Sequence, residues 1–214
     1  MRTLLDLILP VECGGCGLPA VPWCPACASA LDGPPVRLRP RTDPGVPCWA
    51  LGPYAGPGRR AVLALKERGR RDLAGPLGYA LARGLHRLRT PGRPLLLIPA
   101  PGRAAAARRR GGDPVARTAA VAASWLPGCR MLPLLRSRHG TRDSVGLTPT
   151  QRRRNLAARV VVRPEVLAAL SGTANPQVVL VDDVLTTGAT AAESVRVARR
   201  YRIPIHDVLV TCGT

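Results

Sequence analysis

The run from Val178 to Thr190, Val-Val-Leu-Val-Asp-Asp-Val-Leu-Thr-Thr-Gly-Ala-Thr, constrains the fold more than any other stretch of the chain. Its first four residues form a continuous apolar segment, three of them β-branched, which predicts a strand of a parallel sheet buried on both faces. Two carboxylates, Asp182 and Asp183, then stand at the C-terminal end of that strand, before a Thr/Gly-rich turn and a helix. Ligands of open α/β sheets bind at this edge. Gly188 permits a tight turn. The backbone N–H groups of Thr186, Thr187, Gly188, Ala189 and Thr190, with the three threonine hydroxyls, can surround a phosphate at a helix N-terminus. Asp182 and Asp183 cannot hold phosphate themselves; their acceptors suit a neighbouring sugar's hydroxyls or a hydrated magnesium ion. The plain alternative is that Asp-Asp caps the helix and Thr-Thr-Gly is an ordinary turn. A capping-box pattern, Thr190 to Glu193, supplies the helix with its own cap and leaves the acid pair free for a ligand.

The rest of the body alternates in the same way. Arg59 to Arg68 reads as a short helix, and Leu73, Leu77, Leu81, Leu85 and Leu88 recur at helical spacing. Leu95 to Ile98 reads as a short buried strand. Asp113-Pro114 offers an N-cap and first-turn proline for a helix to about Trp125. Met131 to Leu135 and Val160 to Val162 are strand candidates, with a second capping box, Thr148 to Gln151, between them. The last helix ends near Tyr201, and Asp207 to Thr211 closes the chain as a strand. The expectation is an α/β fold with a mostly parallel open sheet and helices on both faces, without internal repeats. The Pro/Arg-rich connector from Gly33 to Pro47 can hold neither a helix nor a central strand and reads as a linker or loose crossover. It divides residues 1–45, a small N-terminal module, from residues 46–214, the α/β domain.

Cys13, Cys16, Cys24 and Cys27 form C-x2-C-x7-C-x2-C, two hooks whose thiolates can close a tetrahedron around zinc. Four sulfurs leave no open position for water, so the metal would be structural, and in so short a segment its binding would be coupled to folding. A pair of disulfides is the rival reading. Arg2 to Pro10 resembles a signal peptide only faintly, because Asp6 interrupts its apolar part and no small-residue cleavage site follows, so it reads as a short amphipathic helix. The expected compartment is therefore the reducing cytoplasm, which disfavours disulfides. Cys48, Cys129 and Cys212 fit no ligand spacing and read as small apolar residues.

No apolar run reaches the roughly 18 residues of a membrane span. The net charge of +19, from 32 Lys plus Arg against 13 Asp plus Glu, would attract nucleic acid, acidic surfaces or polyphosphates. The competing reading is compositional, since Lys66 is the single lysine, Phe is absent and Ala, Gly and Pro abound, a GC-rich profile. Trp23, Trp49 and Trp125 are scattered and give no visible stacking platform for single-stranded nucleic acid. His86, His139 and His206 are isolated and read as surface or packing residues.

Val178 to Thr190 closely resembles the phosphoribosyl-pyrophosphate (PRPP) motif of type I phosphoribosyltransferases. The cysteine head, Leu65-Lys66-Glu67-Arg68-Gly69-Arg70, the Pro99-Ala100-Pro101 turn, Arg108-Arg109-Arg110-Gly111, Gly146-Leu147 and Arg154-Asn155 follow in the order of the ComF family of competence-associated, phosphoribosyltransferase-like proteins. The resemblance spans essentially the whole chain. It implies a type I phosphoribosyltransferase fold preceded by a zinc module, Mg-PRPP as ligand, and Asp182 and Asp183 on the ribose hydroxyls. It further implies Pro99 to Arg103 as the pyrophosphate turn, Arg108, Arg109 and Arg110 on a loop over the pyrophosphate, and Lys66 as a basic element nearby. Asp182, Asp183 and Arg103 are the candidate catalytic residues on that basis. Solvated surface charge is the plain reading of each of these cations. Thr186 stands where purine-salvage relatives carry an Asp that handles the base proton, which points away from purine salvage.

Two functions follow. As an enzyme, the protein would transfer phosphoribosyl to a nitrogen nucleophile with release of pyrophosphate, whose charge Arg103 and Arg108 to Arg110 would stabilise. As a binding module, implied by the family's link to DNA uptake, it would hold single-stranded DNA or a partner of the uptake machinery. A homodimer is the expectation by analogy with type I relatives.

Overall fold

The computed structural model describes residues 11–102, 112–138, 160–170 and 175–214. Eight strands fall in these segments: β1 (Val36–Leu38), β2 (Cys48–Pro53), β3 (Leu95–Pro99), β4 (Cys129–Met131), β5 (Leu135–Ser137), β6 (Val160–Val162), β7 (Gln177–Leu185) and β8 (Asp207–Gly213). The helices are α1 (Pro25–Ser29), α2 (Gly56–Glu67), α3 (Ala74–Leu88), α4 (Pro114–Ser124), α5 (Pro164–Leu167) and α6 (Ala189–Arg200). Six strands build one sheet in the order β1-β2-β8-β7-β3-β4, parallel throughout except for the edge strand β1, while β5 and β6 form a separate antiparallel ribbon.

Continuous apolar strands make this sheet hydrophobic on both sides. Leu51, Leu95, Leu97, Val179, Val181 and Leu209 face one side and pack on α2, α3 and α4 through Val62, Leu65, Leu77, Leu81, Leu85, Ala119 and Ala122. Ala50, Leu96, Ile98, Val178, Leu180, Val208 and Val210 face the other, under α6 and the β5-β6 ribbon. Each fully buried Leu, Ile or Val contributes about 1.5–3 kcal/mol, which offsets the entropy of ordering the chain.

The expected helices and strands recur, with corrections. The connector is not a simple linker, because Val36–Leu38 pairs antiparallel with β2; its prolines confine it to the edge, where unpaired carbonyls and imides cost least. The strand expected over Met131 to Leu135 is two strands, since Pro133 stops the first, and the chain then leaves the main sheet to enter the ribbon. The strand β7 runs past the acid pair to Leu185, pairing Asp182 with Val210 and Val184 with Cys212. The Thr190–Glu193 capping box does not form: Gly188 is the N-cap of α6, in a left-handed conformation at φ 80°, and no side chain caps the helix. Glu193 is buried and receives Arg196 at 2.5 Å instead. The Thr148–Gln151 pattern and the N-terminal helix lie outside the described residues.

Residues 11–31 pack on the α/β body. Arg70 donates to the Glu12 carbonyl at 2.8 Å, Arg60 donates to the Gly15 carbonyl, and Leu31 is buried in the α2–α3 side of the core. Among the described residues no helix is long and apolar enough to cross a membrane.

Candidate functional site

Two constellations carry chemistry. The first is the cysteine head. A tight turn, closed by Cys13 N–H to Leu18 O at 2.8 Å and Gly17 N–H to Cys13 O at 2.9 Å, presents Cys13 and Cys16, and the start of α1 presents Cys24 and Cys27. All four sulfurs lie within 4.8 Å of one another, with Cys16 and Cys24 3.6 Å apart. A tetrahedral zinc with bonds of ~2.3 Å needs sulfur–sulfur edges of about 3.8 Å, so the four can hold a metal such as zinc with little movement. Burial alone would push the Cys13 thiol up, but backbone N–H groups of Cys24, Cys16 and Gly15 aimed at its sulfur bring it down to about 6. Cys27 moves upward through burial and its sulfur neighbours. A β-carbon on Gly15 would sit 2.6 Å from the Cys27 Sγ and 2.8 Å from the Trp23 ring, which is why the first hook carries glycine. The buried apolar content of this segment is small, centred on three of the cysteines with Val21 and Trp23 against them. Cys48, Cys129 and Cys212 are free, two of them buried.

The second is a crevice at the C-terminal edge of the sheet. The neighbouring parallel strands β3 and β7 send their following helices to opposite faces: α4 joins the core with α2 and α3, and α6 covers the other side. Such a reversal leaves the strand ends open between diverging connections, and ligands enter open α/β sheets there. The Pro99–Gly102 turn leaves β3 with Ala100 N–H donating to Val181 O at 2.7 Å, and Asp113 caps α4 by accepting from Val115 N–H at 2.8 Å. Opposite stands β7, with Asp182, Asp183 and the 186–188 turn. The acid pair and the 186–190 turn both lie at this edge, beside the switch.

Lys66, in the last turn of α2, donates to Asp183 Oδ1 at 2.7 Å. The lysine side chain is 37% exposed and the carboxylate 9%, so the pair sits at the boundary between core and solvent. Burial would lower the Lys66 pKa, but attraction to Asp183, their hydrogen bond and the charge of Asp182 outweigh it and leave the ammonium raised. The Asp182 carboxyl is pushed well up by burial and by the Asp183 charge beside it, against the pull of Asp183 N–H and Lys66. That N–H donates to Asp182 Oδ1 at 2.8 Å, and no β7–β8 pair forms at Asp183 itself. Only ≈10 Å³ of space opens beneath the two acids, against Val62, Leu65, Val115 and Thr118.

The turn presents Thr186, Thr187 and Thr190 to solvent, Ala189 half-buried and Gly188 buried. Gly188 is buried by a segment distant in sequence. The connector folds over it, with Thr42 N–H donating to Thr187 O at 2.8 Å, and a β-carbon at position 188 would meet the Thr42 carbonyl and come within 2.7 Å of Pro40. Nothing local in Pro40-Arg41-Thr42 signals this. Arg103, Arg108, Arg109 and Arg110 lie outside the described residues. His206 sits at the opposite end of β7, accepting from Val178 N–H through Nδ1 at 3.0 Å, a packing role.

The aromatics are not all scattered. Tyr79 and Trp125 meet edge to face with ring centroids 5.0 Å apart, both exposed, on a groove of ≈290 Å³ shared with Arg83, His86 and Arg87. A second cleft, ≈400 Å³, lies between the first cysteine hook and Arg59, Arg60, Arg68 and Arg70. No protein-family model matches the chain, and no curated protein matches it.

Proposed function

We propose that the crevice between β3 and β7 binds PRPP or a related ribose phosphate, and that the protein is a ComF-type, phosphoribosyltransferase-like protein with a structural zinc in its head. The observation that carries this reading is the acid pair and the Gly188 turn standing together at the point where the connections diverge. The ribose hydroxyls would donate to Asp182 and Asp183. The 5-phosphate would lie on the N–H groups at the start of α6, with Thr186, Thr187 and Thr190 around it. In the transfer, a nitrogen nucleophile forms a bond to the anomeric carbon while the bond to pyrophosphate breaks, the electron pair leaving with the pyrophosphate and the proton of the nitrogen passing to solvent water or to the departing pyrophosphate. Magnesium accompanying the pyrophosphate would neutralise its charge. Arg103 and the cations at 108–110 would receive the leaving group.

Calorimetric titration with Mg-PRPP tests the site. Heat of binding that disappears in the Asp182→Asn/Asp183→Asn variant supports it, and silence from the intact protein removes it. Pyrophosphate release on a panel of amines and bases then separates catalyst from binder.

One observation favours a second reading, a non-catalytic protein that holds single-stranded DNA. Exposed Tyr79 and Trp125 beside Arg83 and Arg87 offer stacking faces and cations in one groove. Binding of a fluorescent oligonucleotide that weakens steeply with salt and falls several-fold in Trp125→Ala supports this; equal binding by the variant rejects the groove as its seat.

A further inference from the structure

The cations that face the cysteine head are placed against a local electrostatic preference. Arg59 and Arg60 stand near the start of α2, where the helix dipole disfavours positive charge, and the first turn of that helix holds no acid. Arg59 lies over the Tyr54 ring, 5.7 Å from its centroid, which accounts for it. Arg60 lines the ≈400 Å³ cleft shared with Cys13 and Cys16, and its Nε donates to the Gly15 carbonyl. Among the described residues no carboxylate pairs with Arg60, nor with Arg68 on the same cleft.

The carbonyl that Arg60 grips belongs to the first hook. It is one end of the Gly15–Cys16 peptide unit, whose other end is the Cys16 N–H. That N–H is aimed at the Cys13 sulfur, which also accepts from Cys24 N–H at 3.4 Å. A cation on the carbonyl polarises the peptide and strengthens the bond that its N–H makes to a thiolate. Four thiolates around a divalent metal leave the filled centre doubly negative, so the charge of Arg60 is favourable through space as well. The hook has a fixed seat on the body at two more points. Arg70, held by Asp72 through Nε at 2.9 Å and Nη2 at 2.7 Å, donates to the Glu12 carbonyl at 2.8 Å, and a β-carbon on Gly14 would meet the Leu73 side chain at 2.5 Å.

We propose that Arg60 is a positioning residue for the metal centre: from α2 it grips the Gly15–Cys16 peptide, holds the Cys16 N–H on the Cys13 sulfur and supplies counter-charge to the thiolates. The inference rests on the reading of the head as a structural zinc site and concerns how the α/β body tunes it. Partners one step removed from a metal act in this way, by fixing a ligand's orientation and its donor strength.

Competition for zinc between the reduced, full-length protein and a chromogenic chelator tests the proposal. Arg60→Met should bind zinc about tenfold more weakly than the intact protein. Arg60→Lys, which keeps the charge and a donor, should recover to within about threefold, and Arg68→Met, which removes a cation of the same cleft that holds no part of the hook, should stay within about twofold. Raising potassium nitrate, an electrolyte that leaves zinc essentially uncomplexed, should narrow the gap between the intact protein and Arg60→Met, because salt screens a cation on an open cleft; the chelator's own response to salt cancels in that ratio. Cobalt(II) titration, read by its thiolate-to-metal charge-transfer bands, checks that the same four-thiolate centre is being compared. Arg60 is exposed, so its replacement leaves the core intact, and circular dichroism confirms this. Arg60→Met binding zinc as well as Arg68→Met, or a gap that salt leaves unchanged, overturns the inference while the zinc reading stands. No zinc uptake by the intact protein removes both.

Discussion

Replacing Gly188 with alanine tests whether the connector and the phosphate-type turn form one structure. Two costs add at this position. A left-handed φ of +80° costs an alanine about 1–2 kcal/mol. The new methyl would also run into the Thr42 carbonyl and lie 2.7 Å from Pro40 Cβ, both held by the hydrogen bond from Thr42 N–H to Thr187 O. Relieving such an overlap against backbone costs about 1–3 kcal/mol more. Gly92 provides the control, with a φ of +76° and nothing within 4 Å of its would-be β-carbon. Gly92→Ala should carry the conformational cost alone. In a chain of this length 1 kcal/mol lowers Tm by roughly 2–4 °C, so Gly188→Ala should melt roughly 2–12 °C below Gly92→Ala. Differential scanning calorimetry reads the difference, and ribose-phosphate binding should fall in Gly188→Ala only. Equal melting temperatures would refute the close approach of connector and turn, whatever the absolute shift.

Two further outcomes follow from the charges and the thiols. The Asp182 carboxyl is raised by burial and its neighbour, so the folded state binds its proton more tightly than the unfolded one: its stabilising contribution is present below the ordinary carboxylate range and is lost as pH rises through the folded value. Asp182→Asn, which resembles the protonated form, should therefore raise Tm at neutral pH while abolishing ribose-phosphate binding; a lower Tm there contradicts the assigned environment. In the head, reductively purified protein should carry about one zinc per chain, and Cys27→Ser should carry near none. Proteolysis should then open the segment around residues 11–31, because little apolar burial supports it without the metal; a zinc-free intact protein that resists protease equally would sink the coupling.

Much of this protein was legible in its sequence, wherever the signal was local. Val178 to Val181 announced a buried parallel strand because continuous β-branched runs suit a sheet covered on both faces, and the leucines from 73 to 88 announced a helix because their spacing matches its turn. The cysteine spacing brought four sulfurs together because each hook is closed by its own short turn. The strands β1 and β2 carry no local signal, since Val36–Leu38 lies among prolines and Cys48–Pro53 ends in Gly-Pro, residues that read as turns until a partner strand supplies their hydrogen bonds. The capping box was a local pattern overruled by tertiary contact: the connector presses the chain onto Gly188, which caps the helix in place of Thr190, and Glu193 turns to Arg196.

What only the tertiary structure decided is who stands beside whom across long stretches of chain. Lys66 meets Asp183 from 117 residues away, Thr42 closes on Thr187, and Trp125 finds Tyr79. None of these pairs has a periodicity or spacing that betrays it. They arise because the order of the parallel strands, β2-β8-β7-β3, brings the ends of distant segments to one edge, and that order is set by packing two apolar faces at once. The sequence alone determined the acid pair, the turn and the cysteine hooks. The charge that accompanies the acids was decided by the fold, which alone brings Lys66 to Asp183.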